Sequence, residues 1–358
     1  MKQILCFFSW LAVLMLWACA ATVYVNPAVY GKYIAVVGLC FPFFVAAVLG
    51  MGVLCLLIKP RMVFISIFGL LCCAGSLRDY FPINLSSPPP KQAIKVISYN
   101  TMSFGDWKMD DNGRDVELVR YLCTQQPDIA ALQETAFKTD DTHTCIQRTM
   151  KRYGYHFEWL FVGGNRGGVM SKWPIVRQEV ICHSSGNGAA AFYVTPRRGD
   201  TLIVVSAHLE SMHLSNKERD NYHELVRNPE TANKVPGKLG VLRKIANSGA
   251  ERARQTDTLC TFIDNHANSK LLVMGDFNDS PISYAHHSVC SRLTDAYRAT
   301  ANGIGRSFNR DAIYVRIDNI FCSSHFKPYA MKVDQTVPFS DHYPVIGYLK
   351  EQSVLMSK

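Results

Sequence analysis

The sequence predicts an α/β sandwich, in which two β-sheets pack face to face with helices outside, preceded by transmembrane helices. Beyond residue 92, short apolar runs rich in β-branched residues dominate, some separated by helical patterns and others joined by hairpin signals. Hydrophobic residues make up 48% of the 358-residue chain and charged residues 19%, but the charges are sparse in the first ninety residues. This segregation divides the chain into a membrane region and a large soluble domain.

The first ninety residues contain few charged side chains, namely Lys2, Lys32, Lys59, Arg61, Arg78 and Asp79. The uncharged runs 3–31 and 33–58 each exceed the roughly 20 residues that a helix needs to cross a bilayer. The run 62–77 is shorter and can form a tilted span, a re-entrant segment or an interfacial helix. We therefore expect two or three transmembrane helices within residues 1–85.

Two further properties of the membrane region are left open by its sequence. The stretch WACA around Cys19 resembles signal-peptide and lipoprotein cleavage sites, but two more apolar runs follow, which favours an uncleaved helix. With three spans, Lys2, Lys59 and Arg61 lie together in the cytoplasm and the C-terminal domain lies outside. With two spans that domain is cytoplasmic. Three spans would also place the basic residues close to the domain outside the cytoplasm, which weakens the positive-inside argument. We expect a multi-pass protein of the cell membrane whose C-terminal domain is non-cytoplasmic.

The boundary between the two regions is a proline-rich linker at residues 86–92, and the soluble domain covers 93–358. Removing the five basic and one acidic residues of the first ninety leaves 33 basic and 28 acidic residues. This mild excess suits an anionic substrate without demanding a nucleic-acid groove. The six cysteines of the soluble domain form no C-x-x-C pair, which argues against a zinc site. Disulfides and buried free thiols explain them equally well.

Strands and helices alternate in the first half of the soluble domain. Residues 95–99 form a β-branched and aromatic strand that ends at Asn100. Apolar residues at 116, 118, 119 and 122 then share one helical face, and Pro127 follows the helix end. Residues 129–132 form a short strand that ends at Gln133 and Glu134. Another strand region begins after the glycine-rich stretch GGNRGG, at 169–174.

The second half begins with a hairpin, in which the strands 189–194 and 201–206 flank a turn at 197–200. The polar segment 213–249 is expected to be a surface excursion, with a substrate-facing or membrane-facing flap as the alternative. A helix begins at Ala250 and leads into the strand that starts at Leu271. Strands are also predicted at 314–322 and 343–348.

Polar side chains stand at or near the ends of these apolar strands. They are Asn100, Glu134, His208, Asp276, Asn278, Asp318, Asp341 and His342. Each one alone is more simply explained as a turn or capping residue. Their joint occurrence indicates a site assembled at one edge of a rigid scaffold.

The segments that carry these residues resemble the metal-dependent endonuclease/exonuclease/phosphatase superfamily, which has the deoxyribonuclease I-like fold. The matching segments are SYN at 98–100, LQET at 132–135, SAHLES at 206–211, GDFNDSP at 275–281, RIDNIF at 316–321 and SDHYPV at 340–345. The combination of GDFND with a terminal SDH is specific, and the resemblance extends over residues 95–350. Together with the apolar runs that precede it, the resemblance indicates a membrane-anchored member of the superfamily.

The resemblance implies a metal site and a set of catalytic residues. Glu134 is the principal ligand of Mg²⁺, or of Mn²⁺ as a substitute, with Asn100 beside it and Asp341 on the other flank. Asp276 orients or deprotonates the attacking water, and Asn278 donates to the developing charge. The remaining roles belong to histidines: His342, held by Asp318, contacts the phosphoryl oxygens, and His208 donates to phosphate or to the leaving-group oxygen.

Two departures narrow the branch of the superfamily. Abasic-site nucleases carry tyrosine where this chain has His208, and an acidic residue where it has Met102. The resemblance therefore favours the branch that contains deoxyribonuclease I and the sphingomyelinases.

These features predict a Mg²⁺-dependent phosphoester hydrolase, with phosphodiesters favoured. The substrate can be a nucleic acid, a phospholipid headgroup or an inositol phosphate; a phosphomonoesterase acting on inositol phosphates is the first alternative. A non-catalytic binding module with the same fold is the alternative from another class. The membrane is the other expected partner, and the sequence indicates no protein partner.

Overall fold

The computed structural model describes residues 2–215, 217–220, 237–310 and 315–352. Tyr314, predicted to open a strand, and residues 216 and 221–236 of the predicted excursion 213–249 lie outside the described residues. The described chain contains an N-terminal helical region and a two-sheet domain that packs against it.

The N-terminal region is helical, with α1 Lys2–Ala21, α2 Pro27–Tyr30, α3 Ile34–Leu39, α4 Phe41–Ile58, α5 Val63–Cys72 and α6 Ala74–Tyr80. By length and composition, the helical segment Lys2–Tyr24 and helix α4 could each cross a membrane, and a third crossing is possible if α5 and α6, bent by 65°, act as one span. Their outward faces are apolar, as Phe7 at 63% exposure and Leu57 at 78% illustrate. Such faces suit contact with lipid rather than with water.

The N-terminal helices have two distinct ends. At one end Leu5, Cys55 and Met62 pack together, close in sequence to Lys2, Lys59 and Arg61. At the other end Val23 and Phe41 pack in a cluster that includes Ile282 of the two-sheet domain. The basic residues 2, 59 and 61 therefore lie at the end remote from the two-sheet domain.

The rest of the chain forms two six-stranded mixed sheets, which confirms the predicted α/β sandwich. The first has the strand order β11-β12-β1-β2-β4-β3 and the second β5-β6-β7-β8-β10-β9. Their bounds are β1 Ile94–Asn100, β2 Ile129–Gln133, β3 His156–Val162, β4 Asn165–Ser171, β5 Ile175–His183, β6 Gly188–Val194, β7 Leu202–His208, β8 Lys270–Asp276, β9 Thr294–Asp295, β10 Asp318–Cys322, β11 Phe326–Val333 and β12 Val345–Glu351.

Side-chain alternation along the strands builds a core on both faces of each sheet. In β1, Val96 belongs to the cluster between the sheets, while Ile97 belongs to the cluster on the outer face of the first sheet. The helices are α7 Met102–Asp106, α8 Glu117–Thr124, α9 Asp140–Arg152, α10 Lys238–Asn265, α11 Tyr284–Cys290 and α12 Ala296–Thr300. Helices α8 and α9 cover the first sheet, and α10 covers the second, so that the layers run helix, sheet, sheet, helix.

Two predicted boundaries are wrong. Helix α10 begins at Lys238 rather than Ala250, because Val241 and Ile245 are buried against Val36 and Leu39 of the N-terminal region, a contact that no local pattern reveals. Strand β10 begins at Asp318, whereas the sequence suggested a start near 314. All twelve cysteines are free, which selects the thiol explanation.

A buried ion-pair network, which no local sequence pattern indicates, stabilises the edge of the second sheet. Asp295 accepts from Arg316 Nη2 at 2.8 Å and lies 3.0 Å from His286 Nε2. Burial raises the pKa of Asp295, but Arg316 and His286 outweigh this effect and hold the pKa below its usual value. The network therefore stabilises the folded state at neutral pH, and its contribution declines as the pH falls below the ordinary carboxyl pKa of ~3.9.

We expect Asp295→Asn to destabilise the fold by about 3–5 kcal/mol, because it leaves the Arg316 guanidinium buried without its charge partner. The measurement is the thermal unfolding midpoint of the full chain in detergent micelles. The matched control is Asp264→Asn, which breaks the partly exposed pair with Arg292 and should cost about 1 kcal/mol or less. Equal shifts in the two variants would contradict the role given to the buried network.

Candidate active site

The predicted site residues meet at one edge of the sandwich because of strand direction. Strand β1 runs parallel to β2, and β7 runs parallel to β8, so the carboxyl ends of each pair lie side by side. These ends carry Asn100, Glu134, His208 and Asp276. The amide of Asn100 joins the two sheets, since its Nδ2 donates to Glu134 Oε1 at 3.1 Å and to Asp276 Oδ2 at 3.2 Å.

Asp318 and His342 reach the same edge by the opposite route. They precede or begin strands instead of ending them, which corrects the expectation of strand exits. Because β10 is antiparallel to β8, its first residue Asp318 pairs with Asp276, the last residue of β8. His342 Nδ1 lies 2.9 Å from Asp318 Oδ2, and its Nε2 lies 3.6 Å from Asp276 Oδ2.

The GDFND segment turns sharply at the strand exit. A Cβ on Gly275 would lie 1.8 Å from the Ala207 carbonyl oxygen, so only glycine fits at this point. Asp276 Oδ1 then accepts from the backbone N–H of Asn278 at 2.8 Å, and Asn278 has a positive φ of 50°. Glu134 also has a positive φ, 53°. Backbone strain of this kind in residues other than glycine is concentrated at functional sites.

The charge state of His342 follows from its surroundings. Burial lowers the pKa of His342, but the carboxylates of Asp318 and Asp276 outweigh burial and raise the pKa to about 10. Burial raises the pKa of Asp318 above its usual value, although the charge of His342 opposes the shift. We therefore treat the pair at neutral pH as an imidazolium held by a carboxylate.

His208 lies between the two acidic groups. Its Nε2 is 3.5 Å from Asp276 Oδ2 and 3.8 Å from Glu134 Oε1. The amide nitrogen of Asn187 lies 3.2 Å from the same Nε2 and, in this orientation, can only donate to it. His208 Nδ1 is buried and has no hydrogen-bond partner within the described part of the chain. Asn187 was not among the predicted residues, because it precedes a strand in an unremarkable glycine-rich loop.

Asp341 lines the same cavity but forms an ion pair with an arginine side chain. Its Oδ2 lies 3.3 Å from Arg310 Nε, and 17% of its side chain is exposed. Asn278 also has a partner, since its Nδ2 donates to the Leu209 carbonyl oxygen at 3.0 Å. That nitrogen carries a second hydrogen, which leaves one donor for a ligand.

The cavity at this edge has a volume of about 160 Å³. Its lining includes the predicted residues Glu134, His208, Asp276, Asn278, Asp341 and His342. Asn100 and Asp318 support this wall through the hydrogen bonds given above. Other lining residues were missed by the sequence analysis, namely Leu39, Pro42 and Tyr80 of the N-terminal region and Met212, Leu214, Arg219, Phe308, Val315 and Ile317 of the two-sheet domain.

The donor set of the cavity fits a hard divalent cation. Carboxylates of Glu134, Asp276 and Asp341 line one small space, and oxygen is the ligand that Mg²⁺ prefers. One group of potential ligands in the described residues is Asp276, Asp318 and His342, whose donor atoms lie within 4.8 Å of one another. Asn100 directs its amide nitrogen at the carboxylates, while its Oδ1 accepts from the Met102 backbone at 3.2 Å.

A second cluster, of His286, Cys290 and Asp295, also has donor atoms within 4.8 Å of one another. Arg316 already occupies the Asp295 carboxylate, so the cluster is explained as an ion-pair network.

The fold and this edge site together are those of an endonuclease/exonuclease/phosphatase domain. A model of the Endonuclease/Exonuclease/phosphatase family matches residues 97–342, and the chain belongs to this family. A second model, described as a domain of unknown function, matches residues 2–80. No curated protein matches the chain.

Solved structures agree on the fold. An endonuclease/exonuclease/phosphatase from Beutenbergia cavernae is 16% identical with a TM-score of 0.51, and the match covers 73% of this chain and 72% of that one. The human Nocturnin catalytic domain with bound sulfate anion is also 16% identical, with a TM-score of 0.50 and coverage of 74% and 97%. At this identity the likeness establishes the fold alone.

Proposed function

We propose that the chain is a membrane-anchored, Mg²⁺-dependent phosphoester hydrolase that favours phosphodiesters. The supporting observation is the convergence of Asn100, Glu134, His208, Asp276, Asn278, Asp318, Asp341 and His342, from six separate segments, at one cavity. A turn or capping role accounts for each residue singly but not for their meeting in space.

Glu134, with Asn100 and Asp341, would hold the metal ion. When bound, Mg²⁺ supplies charge stabilisation at the phosphoryl oxygens and lowers the pKa of a bound water. Glu134 suits this role because its carboxylate is partly exposed to the cavity and is positioned by the Asn100 hydrogen bond. Asn100 would have to present its oxygen to act as a direct ligand.

Asp276 is placed to act on the nucleophile. Its carboxylate is 1% exposed, and its Oδ2 is the point where Asn100, His208 and His342 converge. A carboxylate fixed in this way can orient an attacking water or accept its proton.

Three side chains remain for the charge that develops on phosphorus and on the leaving oxygen. The His342 imidazolium, fixed by Asp318, can contact the phosphoryl oxygens. Asn278 offers its second amide hydrogen. To donate to phosphate or to the leaving oxygen, His208 would have to carry a proton on Nε2, which requires that the Asn187 amide nitrogen no longer donates to that atom.

The structure of the N-terminal region supports a location for the domain. Residues Lys2, Lys59 and Arg61 lie at the end of the helices remote from the two-sheet domain. With three spans, the positive-inside rule then places this domain on the non-cytoplasmic side. A topology reporter fused to the C-terminus should be active outside the cytoplasm; activity inside would argue for two spans.

The test of the proposal is a substrate panel offered to the purified full chain with Mg²⁺ or Mn²⁺. The panel contains plasmid DNA, RNA, a sphingomyelin-like lipid and inositol phosphates, which separates phosphodiesters from phosphomonoesters. We expect hydrolysis of a phosphodiester. If no phosphoester is cleaved, the proposal fails and a non-catalytic binding role gains support.

A further inference from the structure

The N-terminal region forms part of the wall of the candidate active site. Leu39, Pro42 and Tyr80 line the same cavity as Glu134 and His342. Leu39 ends helix α3, and Pro42 lies in the first turn of α4, one of the two helices long enough to cross a membrane. A helix long enough to cross a membrane thus begins at the cavity.

Polar contacts join the N-terminal part of the chain to the two-sheet domain. Asn84 Nδ2 donates to the Ala301 carbonyl at 2.6 Å, and Arg298 pairs with Asp79 at 2.5 Å. Lys32 Nζ donates to Asn247 Oδ1 at 2.7 Å. These contacts, with the burial of Val241 and Ile245 of α10 against Val36 and Leu39, make the N-terminal wall a built part of the site.

Exposed aromatic residues lie in the connections at the domain-facing end of the N-terminal helices. Tyr24, Tyr30 and Tyr33 are 73%, 75% and 54% exposed, and Phe81 is 50% exposed. Tyrosines are typical of the boundary between hydrocarbon and water, where their rings are partly in each. These four aromatic residues place the bilayer surface close to the level of the cavity.

The cavity lining contains both charged and apolar side chains. Glu134, Asp276 and His342 supply charge, whereas Leu39, Pro42, Met212, Leu214, Phe308, Val315 and Ile317 supply apolar surface. A ligand with a phosphate group and a hydrocarbon chain would satisfy both. A nucleotide or an inositol phosphate would leave the apolar lining against water or polar groups.

We infer that the substrate is a membrane lipid phosphoester, whose phosphate lies at Glu134 and His342 while its hydrocarbon chain lies along Leu39, Pro42 and Met212. This inference rests on the proposed hydrolase function. Water attacks phosphorus, the ester P–O bond breaks, and the leaving oxygen takes up a proton, which yields an alcohol and a phosphate. The products partition between membrane and water according to which ester bond is cleaved.

The first test is a chain-length series on the full-length protein in detergent micelles. The probes are methyl, butyl and octyl 4-nitrophenyl phosphates with Mg²⁺, and plasmid DNA is the competing class. Burial of a methylene favours binding about fourfold, so kcat/KM should rise at least about tenfold from methyl to octyl. Vesicles that contain phosphatidylglycerol should also be hydrolysed, and faster than the DNA.

The second test asks whether the N-terminal wall causes the preference. Leu39→Ser should lower the octyl-to-methyl ratio of kcat/KM about fivefold or more, because it removes apolar surface that the octyl group of the substrate contacts. The matched control is Leu85→Ser, just before the linker, at a leucine that is 97% exposed, which should keep the wild-type ratio. The wild-type series remains informative if Leu39→Ser fails to fold.

The possible outcomes separate the two proposals. Hydrolysis of the methyl ester with no chain-length preference overturns the lipid assignment and leaves the hydrolase function intact. Faster cleavage of DNA than of vesicle lipid also overturns the lipid assignment, and it favours a nuclease. Absence of cleavage of every phosphoester overturns both.

Discussion

Asp276→Asn should lower kcat for phosphodiester hydrolysis by about 10²–10⁴ without unfolding the protein. The substitution keeps an oxygen that can accept from the Asn278 backbone, so the turn at the strand exit is retained. It removes the negative charge at the point where Asn100, His208 and His342 converge. A neutral amide accepts a proton from water far less readily than a carboxylate.

The measurement is kcat with bis(4-nitrophenyl) phosphate and Mg²⁺, together with the thermal unfolding midpoint. Asp264→Asn is the matched control, since it makes the same chemical change at a side chain that is 54% exposed on α10. A variant Asp276→Asn that is folded and within about threefold of wild type would exclude Asp276 from the chemical step.

Asp318→Asn should lower kcat by about 10²–10³ at neutral pH and move the alkaline limb of the pH–rate profile to lower pH. In the wild type, Asp318 and Asp276 outweigh burial and raise the pKa of His342 to about 10, so the ring stays protonated through neutral pH. Loss of the Asp318 charge removes one of the carboxylates that counteract the effect of burial on the pKa of His342. The pKa of His342 then falls, and the imidazolium is lost as the pH rises through this lower value.

Measuring kcat between pH 5 and pH 10 tests this account of His342. We expect the alkaline limb to shift down by about one pH unit or more, with partial recovery of the variant at acidic pH, where the ring is again protonated. A uniform loss of rate with an unchanged pH profile would mean that Asp318 only positions the ring. Unchanged kcat would remove the pair from the catalytic account.

Part of the site was predictable because several of its polar residues directly follow apolar strands in the sequence. Asn100, Glu134, His208 and Asp276 each follow an apolar run, and the carboxyl ends of parallel strands meet at one edge. The same regularity predicted the two-sheet sandwich. Gly275 and Asn278 mark the turn that positions Asp276, so the segment GDFND encodes both a strand exit and the proposed reactive group.

The remaining features depend on contacts between distant segments. Asp318 was predicted to leave a strand but begins one, and it reaches the site only because β10 is antiparallel to β8. Helix α10 was placed twelve residues too late, since the partners of Val241 and Ile245 lie in the N-terminal region. For the same reason, no local signal marked Leu39 or Pro42 as part of the cavity at the candidate site. Such residues look like ordinary membrane-region residues until the two parts of the chain are seen together.

The central claim is that these converging residues form a metal-dependent hydrolytic site. Its most direct test is the rate of bis(4-nitrophenyl) phosphate hydrolysis by the full chain with Mg²⁺, after removal of the metal by a chelator, and after its return. Glu134→Ala is run beside Glu158→Ala, a control at an exposed glutamate on β3.

The account predicts that chelation abolishes hydrolysis, that Mg²⁺ restores it, and that Glu134→Ala needs at least about tenfold more Mg²⁺ for half-maximal rate. Hydrolysis that survives chelation, or equal Mg²⁺ requirements in Glu134→Ala and Glu158→Ala, would contradict it.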